Sequence, residues 1–259
     1  MKDMLRSVAM AFSMFSSLPT PQVEWKDSNM KYMLCALPLV GAAAGVLMLG
    51  WYWLCAQLSI GKLLFGAGMV ILPLAVSGGI HLDGFCDTSD ALASHAPAEK
   101  KREILKDSRA GAFAVIGAAA YFVVHFALCA EIGISLIASA MLALHQVFAR
   151  AIGALAGTVL PSSSSQGLLA SFKNAAAKKA AAVLTVWCVL CACAMIALSP
   201  IGGTVCTVCG GAAFLYIKHM SRKQFGGMSG DLAGFIITVL QPALAACFII
   251  SERMASVWF

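Results

Sequence analysis

KLLFGAGMVILPLAVSGGIHLDGFCDTSDAL, residues 62–92, runs an apolar segment directly into a row of carboxylates. Residues 62–80 are apolar and long enough to cross a bilayer, which takes about 20 residues. Asp83, Asp87 and Asp90 follow at i, i+4 and i+7. On an α-helix turning about 100° per residue they fall within an arc of about 60°. Three carboxylates on one face repel one another, and the low dielectric of a membrane boundary strengthens that repulsion, so a compensating cation is expected. Oxygen-only ligands select a hard ion, and Mg²⁺ uses few carboxylates, filling its other positions with water and phosphate oxygens. Leu82, Phe85, Cys86, Ala91 and Leu92 are suited to hold this helix against a bundle. The plainer reading is a solvated loop or helix start at which Asp83 or Asp87 acts as a cap.

The rest of the chain fits that segment. Of its 259 residues 60% are hydrophobic and 12% charged, and the mean hydropathy is +0.85. So little polar surface excludes a water-soluble globule. Apolar runs at 33–56, 62–80, 111–130, 133–159, 180–199, 201–217 and 233–251 predict an all-α, polytopic integral membrane bundle of about seven transmembrane helices; the sixth is marginal in length. The N-terminal LRSVAMAFSMFSSL is too short to cross, carries Arg6 and lacks a small-residue cleavage site. It is expected to be an interfacial helix, not a signal peptide. With no linker, soluble insertion or internal repeat, residues 1–259 read as one membrane-embedded domain.

Lysine and arginine set the orientation. Residues 1–32, 81–110, 160–179 and 218–232 hold 15 of the 18 basic residues, which predicts a cytoplasmic N-terminus and cytoplasmic loops in these four places. Lys100, Lys101 and Arg102 belong to this topology signal. The net charge of +6 is spread over the same loops, so it points to anionic lipid or an anionic substrate and not to nucleic acid. The ten cysteines lie largely within apolar runs, where a thiol behaves as a small hydrophobe and a zinc site has no polar second shell. Disulfides are not expected on the cytoplasmic side.

Two further polar segments stand beside apolar runs. In KKREILKDSRAGAF, residues 100–113, Lys106 and Arg109 supply a point charge and a planar fork for a phosphorylated substrate, close to Gly111. In SRKQFGGMSGDLAGF, residues 221–235, Gly226, Gly227 and Gly230 precede a helix expected near Leu232, an arrangement whose backbone amides hold anions. Asp231 enters the boundary on the same side as the first aspartates. Arg150 sits inside a span, where an arginine faces the bundle interior and pairs with a carboxylate or reaches a phosphate. His125, His145 and His219 read as structural. His81 projects from the side of its helix opposite the aspartates.

GGIHLDGFCDTSDAL, ILKDSRAGAFAVIG, GGMSGDLAGF and the N-terminal AFSMFSSLPTP followed by LPLVGAAAGVL together resemble the adenosylcobinamide-GDP ribazoletransferase (cobalamin synthase) family, from about residue 10 to about residue 250. The resemblance implies an inner-membrane, multi-pass, Mg²⁺-dependent enzyme of the last steps of cobalamin biosynthesis. It joins adenosylcobinamide-GDP to α-ribazole or α-ribazole 5′-phosphate and releases GMP. Membrane lipid and other cobalamin-assembly enzymes are its candidate partners. The family's elements fall on His81, Leu82, Asp83, Gly84, Asp87, Thr88 and Asp90; on Lys106, Asp107, Ser108, Arg109 and Gly111; and on Gly226, Gly227, Ser229, Gly230 and Asp231. Ser229 stands where threonine is expected, and Ala91 where glycine is. In this reading Asp83, Asp87 and Asp90 hold the metal, while His81, Lys106, Ser108, Arg109, Gly227 and Ser229 bind substrate. Asp107 or Asp231 serves as general base, and Arg109 stabilises the reacting phosphate.

Two other classes share some of these features. A CDP-alcohol-type phosphotransferase also uses aspartates on membrane helices, but its expected AR pair after the DG dipeptide is missing here. A transporter needs charge along a path, whereas these aspartates cluster on one side.

Overall fold

The computed structural model describes residues 2–21, 23, 24, 30, 32–163 and 168–258. They form α1 (Lys2–Phe15), a single 3₁₀ turn at Leu34–Ala36 that leads into α2 (Leu37–Gln57), then α3 (Lys62–Ser77), α4 (Ile80–Ala93), α5 (Ala98–Ile104) and α6 (Ala112–Ile132). After these come α7 (Leu136–Val159), α8 (Leu168–Leu198), α9 (Pro200–Phe225) and α10 (Gly230–Trp258). An isolated bridge joins Ser162 to Met228. The all-α membrane bundle expected from the sequence is what is observed. Among the described residues six helices are long and apolar enough to cross a membrane, and the bent pair α3–α4 makes up to seven.

That pair is where the observed boundaries depart from the expected ones. The apolar run of 62–80 ends as a helix at Ser77, because Gly78 and Gly79 both adopt left-handed backbone, with φ of 60° and 82°. Such angles suit glycine and close the helix. The 16-residue α3 is about 24 Å long, short of a hydrocarbon core of about 30 Å. The chain then turns by 94° into α4. The run at 201–217, marginal by composition, instead continues as the 26-residue α9.

At the centre stands α7, whose spanning window is 78% buried against 17% for α6 and for α8. It packs on α2, α8 and α10 through Ala138, Ala143, Ala149, Ala151, Ala154 and Ala156. Lipid supplies no hydrophobic drive between helices, so close approach over small side chains is what holds such a bundle together. The short α1 packs Met10 and Ala11 against Met33 and Ala36 while Met4 and Leu5 stay exposed.

The polar segments gather at one end of the bundle. Ser17 donates to the carbonyl of Ala75, Asp90 receives the amide of Gly111, Arg102 reaches the carbonyl of Phe225, and Met228 donates to Pro161. The other end carries the pairs Arg253–Glu131 and Ser199–Glu252. The described parts of the segments expected to share a side therefore do share one; parts of 1–32 and of 160–179 lie outside the described residues.

Candidate functional site

The site is built on α4. One stripe of that helix, comprising His81, Gly84, Thr88 and Ala91, is buried. Asp83 lies exposed on the open side, with Asp87 and Asp90 half-buried. Close packing sets the position of the helix: a Cβ on Gly84 would lie 2.7 Å from the carbonyl oxygen of Asp231, so only glycine lets α4 approach the first turn of α10 this closely. Asp83, Asp90 and Asp231 all act electrostatically on Asp87, and Asp83 acts on Asp231, which places four carboxylates within one field.

The four are not equivalent. The Gly111 amide donates to Asp90 Oδ2 at 2.6 Å and the Ala114 amide to Oδ1 at 2.9 Å. Asp90 thus caps the N-terminus of α6 and ties it to α4, a role that its placement in the aspartate row did not reveal. The carboxylates of Asp83 and Asp87 take part in no hydrogen bond or ion pair among the described residues. Replacing a helix-capping carboxylate by alanine costs about 0.5–2 kcal/mol. Asp90→Ala is accordingly expected to lower the thermal midpoint of the purified protein by a few degrees, with Asp90→Asn retaining part of it. An unchanged midpoint in the alanine variant would refute the capping role.

Lys106, Asp107, Ser108 and Arg109 are all exposed, in the short segment between α5 and α6. Arg109 donates from Nη2 to Asp107 Oδ2 at 2.8 Å and from Nε to Oδ1 at 3.0 Å, and its backbone amide donates to Oδ1 at 3.1 Å. These bonds hold the Asp107 carboxyl at about 2, well below its ordinary value. Protonation breaks the pair only as pH falls toward that value, so Asp107 is ionised and committed to Arg109 throughout the neutral range.

The glycine segment differs from the expected cradle. The amides of Gly226 and Gly227 close α9 on the carbonyls of Arg222 and Ser221, and Met228 donates to Pro161 at 2.7 Å. Those three amides are committed to the fold. Ser229 Oγ accepts from the Leu232 amide at 3.2 Å, capping α10 in the way a serine does. The amides of Ser229 and Gly230, which have no acceptor among the described residues, are the ones left to an anion. Gly227 is buried against Ser162 and Ser163, so its role is close packing.

Lys101 and Arg102 are also more than topology signals. Lys101 is buried and donates to Gln224 Oε1, while Arg102 Nη1 donates to the Phe225 carbonyl at 2.9 Å. Both fasten α5 to the end of α9 and so support the segment that carries Asp231. Lys100, paired with Glu103 on the surface, keeps the simpler reading. Contacts more than 120 residues apart in the chain leave no mark in local sequence.

Below the carboxylates is a buried polar layer. Arg150 donates to the backbone and side chain of Gln146; Tyr121 donates to Gln241 and contacts His125; His81 stacks on Phe15. His125 and His145 are buried in this layer and His219 is exposed. His81 faces this interior, not the aspartate row.

Among the described residues no three histidine, cysteine, aspartate or glutamate side chains stand close enough to hold a metal ion by themselves. The donor set nevertheless fits a hard cation that takes only part of its coordination from protein. Asp83 and Asp87 lie one turn apart with uncommitted oxygens and Asp231 faces them, which leaves room for water and phosphate ligands.

Residues 7–249 match the model of the cobalamin-5-phosphate synthase family. A protein of Lachnoclostridium phytofermentans named adenosylcobinamide-GDP ribazoletransferase is 34% identical over 96% of this chain and 95% of its own. Proteins of the same name from Geobacillus thermodenitrificans and Clostridium perfringens are 30% identical over 92% of each chain, and 29% identical over 93% of this chain and 96% of their own, respectively. No solved structure matches.

Proposed function

The chain belongs to the cobalamin-5-phosphate synthase family, and on that premise we propose that its acidic end performs the adenosylcobinamide-GDP ribazoletransferase reaction. A ribose hydroxyl of α-ribazole, or of its 5′-phosphate, attacks the phosphorus that carries the cobinamide. The pyrophosphate bond to GMP breaks, GMP leaves with the bridging oxygen, and the hydroxyl proton passes to a carboxylate. The observation that carries this reading is the pair of uncommitted carboxylates, Asp83 and Asp87, packed through Gly84 against the turn bearing Asp231.

Asp83 and Asp87 would hold Mg²⁺, which when bound would neutralise charge developing on the bridging oxygen that leaves with GMP. Lys106 and Arg109, exposed at the same end, bind phosphate oxygens once Arg109 is drawn from Asp107. The free amides of Ser229 and Gly230 add donors beside them. His81, buried toward Arg150, contributes from the inner wall. The basic loops support a reading in which this end faces the cytoplasm from the bacterial inner membrane, with nucleotide-linked substrates arriving from the aqueous side.

The test is GMP release by the detergent-solubilised protein given adenosylcobinamide-GDP and α-ribazole, first with Mg²⁺ and then with EDTA. GMP and a cobalamin product are expected with Mg²⁺, and loss of both with EDTA. Release of CMP from a CDP-linked donor instead would replace this reading by the other phosphotransferase class, and full turnover in EDTA would remove the metal from it.

A further inference from the structure

We propose that Arg150, with Gln146 at its side and His81 beside it, is a seat for a phosphate group of the bound substrate. Arg150 is 1% exposed and lies on the most buried helix of the bundle. Its Nη1 donates to the carbonyl of Gln146 at 3.0 Å and to Gln146 Oε1 at 2.9 Å, but its Nε has no partner. Among the described residues no carboxylate pairs with it. A guanidinium buried without a counter-charge is strongly disfavoured, and in membrane proteins such groups are kept where an anion is met. The neighbouring His81 is 6% exposed, its Nε2 also lacks a partner, and it feels the charge of Arg150. A guanidinium N–H and an imidazole nitrogen, both buried, without a partner among the described residues and within one electrostatic field, describe the protein half of an anion site.

Its position ties it to the acidic end. Gly153, one turn along α7 from Arg150, packs against Ala233 and Ile237 of α10, the helix that begins at Asp231. On α4 the order is the same: Gly84 meets Asp231 and His81 meets Gly234. Carboxylates, His81 and Arg150 therefore follow one another inward from one mouth. A diphosphate ester whose outer oxygens meet the metal at Asp83 and Asp87 has further phosphate charge to be met below, and Arg150 supplies it. Because Arg150 is covered, an arriving phosphate displaces His81, which stands next to the left-handed Gly78–Gly79 corner.

The proposal rests on the transferase reading, and the experiment separates the two. Wild type, Arg150→Met and Arg150→Lys are purified in detergent. Their thermal midpoints are measured alone and with Mg²⁺ and inorganic pyrophosphate, and KM and kcat are measured for adenosylcobinamide-GDP. A seat left empty in the free protein predicts that Arg150→Met unfolds no earlier than wild type, since an uncompensated buried charge has been removed. Its affinity for pyrophosphate and its KM for the GDP ester should weaken by about 10- to 100-fold, the scale of a charge-assisted bond, with kcat changed less. Arg150→Lys, which keeps the charge, should recover part of both. A lower midpoint in Arg150→Met, with pyrophosphate affinity and KM unchanged in both variants, would make Arg150 a structural tie and overturn the proposal. Stabilisation by nanodiscs of anionic lipid that depends on Arg150, without a response to pyrophosphate, would assign the seat to a lipid headgroup and overturn it equally. Arg150-dependent pyrophosphate binding in a wild-type protein that releases no GMP would uphold the seat and remove the transferase reading.

Discussion

Asp87→Ala is expected to reduce GMP release by at least about 1,000-fold, the rate equivalent of roughly 4 kcal/mol, without lowering the amount of folded protein in the membrane. Clamping a metal against the diphosphate is worth several kcal/mol of charge stabilisation in the transition state, and Asp87 stands in the middle of the acidic cluster. Asp83 lies one turn before it on α4, Asp90 follows three residues later, and Asp231 faces it from α10. Among the described residues its carboxylate makes no hydrogen bond or ion pair that its loss would leave broken, so the described fold does not depend on it. Removing one of several mutually repelling carboxylates should leave the thermal midpoint unchanged or raise it. Asp87→Asn, which keeps the shape and loses the charge, should behave like the alanine variant in turnover. Any residual activity in either should require more Mg²⁺ than wild type. The contrast with Asp90→Ala makes the test specific: that substitution is read in stability, this one in metal dependence. Undiminished turnover by Asp87→Ala would end the metal reading of α4.

The membrane class, the helical aspartate row and the end of the bundle that carries the polar loops were all readable from hydropathy and charge, because each is a local property of consecutive residues. The row itself formed as expected, on a helix of 14 residues with its opposite stripe buried. What local pattern does not carry is the partner of each carboxylate. Asp90 looks like Asp87 in sequence, yet it is bonded to the start of α6 some twenty residues on. The glycines at 226 and 227 looked like an open cradle. Their amides are used because α9 runs eight residues past its expected end and must be closed there. The bent α3–α4 pair was hidden for a different reason: the apolar pattern continues through Gly78 and Gly79, and only their left-handed backbone breaks the helix. Arg150 was visible as an anomaly, but its lack of a carboxylate partner is a property of the packed bundle.

Asp231→Asn should lower kcat by about 100- to 10,000-fold, the range for loss of a positioned general base, whereas Asp107→Asn should act mainly on KM. A general base works best with a proton affinity near the operating pH. Asp107 fails that requirement, since three bonds from Arg109 hold it at about 2 and leave it a weak proton acceptor at neutrality. Among the described residues no such cation pairs with Asp231. It sits half-buried at the start of α10, where its carboxylate accepts from its own backbone amide and, at a long 3.4 Å, from Ser229, and it faces Asp83 across the Gly84 contact. A hydroxyl nucleophile lying against the metal-bound diphosphate would meet it from the open side of α4. Removing Asp107 frees Arg109 from its intramolecular pair, so substrate affinity should change while the chemical step is largely kept. If Asp231 is the base, Asp231→Asn keeps the wild-type Mg²⁺ requirement and loses the acid limb of the kcat profile. If it is a metal ligand instead, the variant needs more Mg²⁺ and keeps that limb. A large fall in kcat for Asp107→Asn, with Asp231→Asn near wild type, would transfer the proton to Asp107 and require Arg109 to leave it before the chemistry begins.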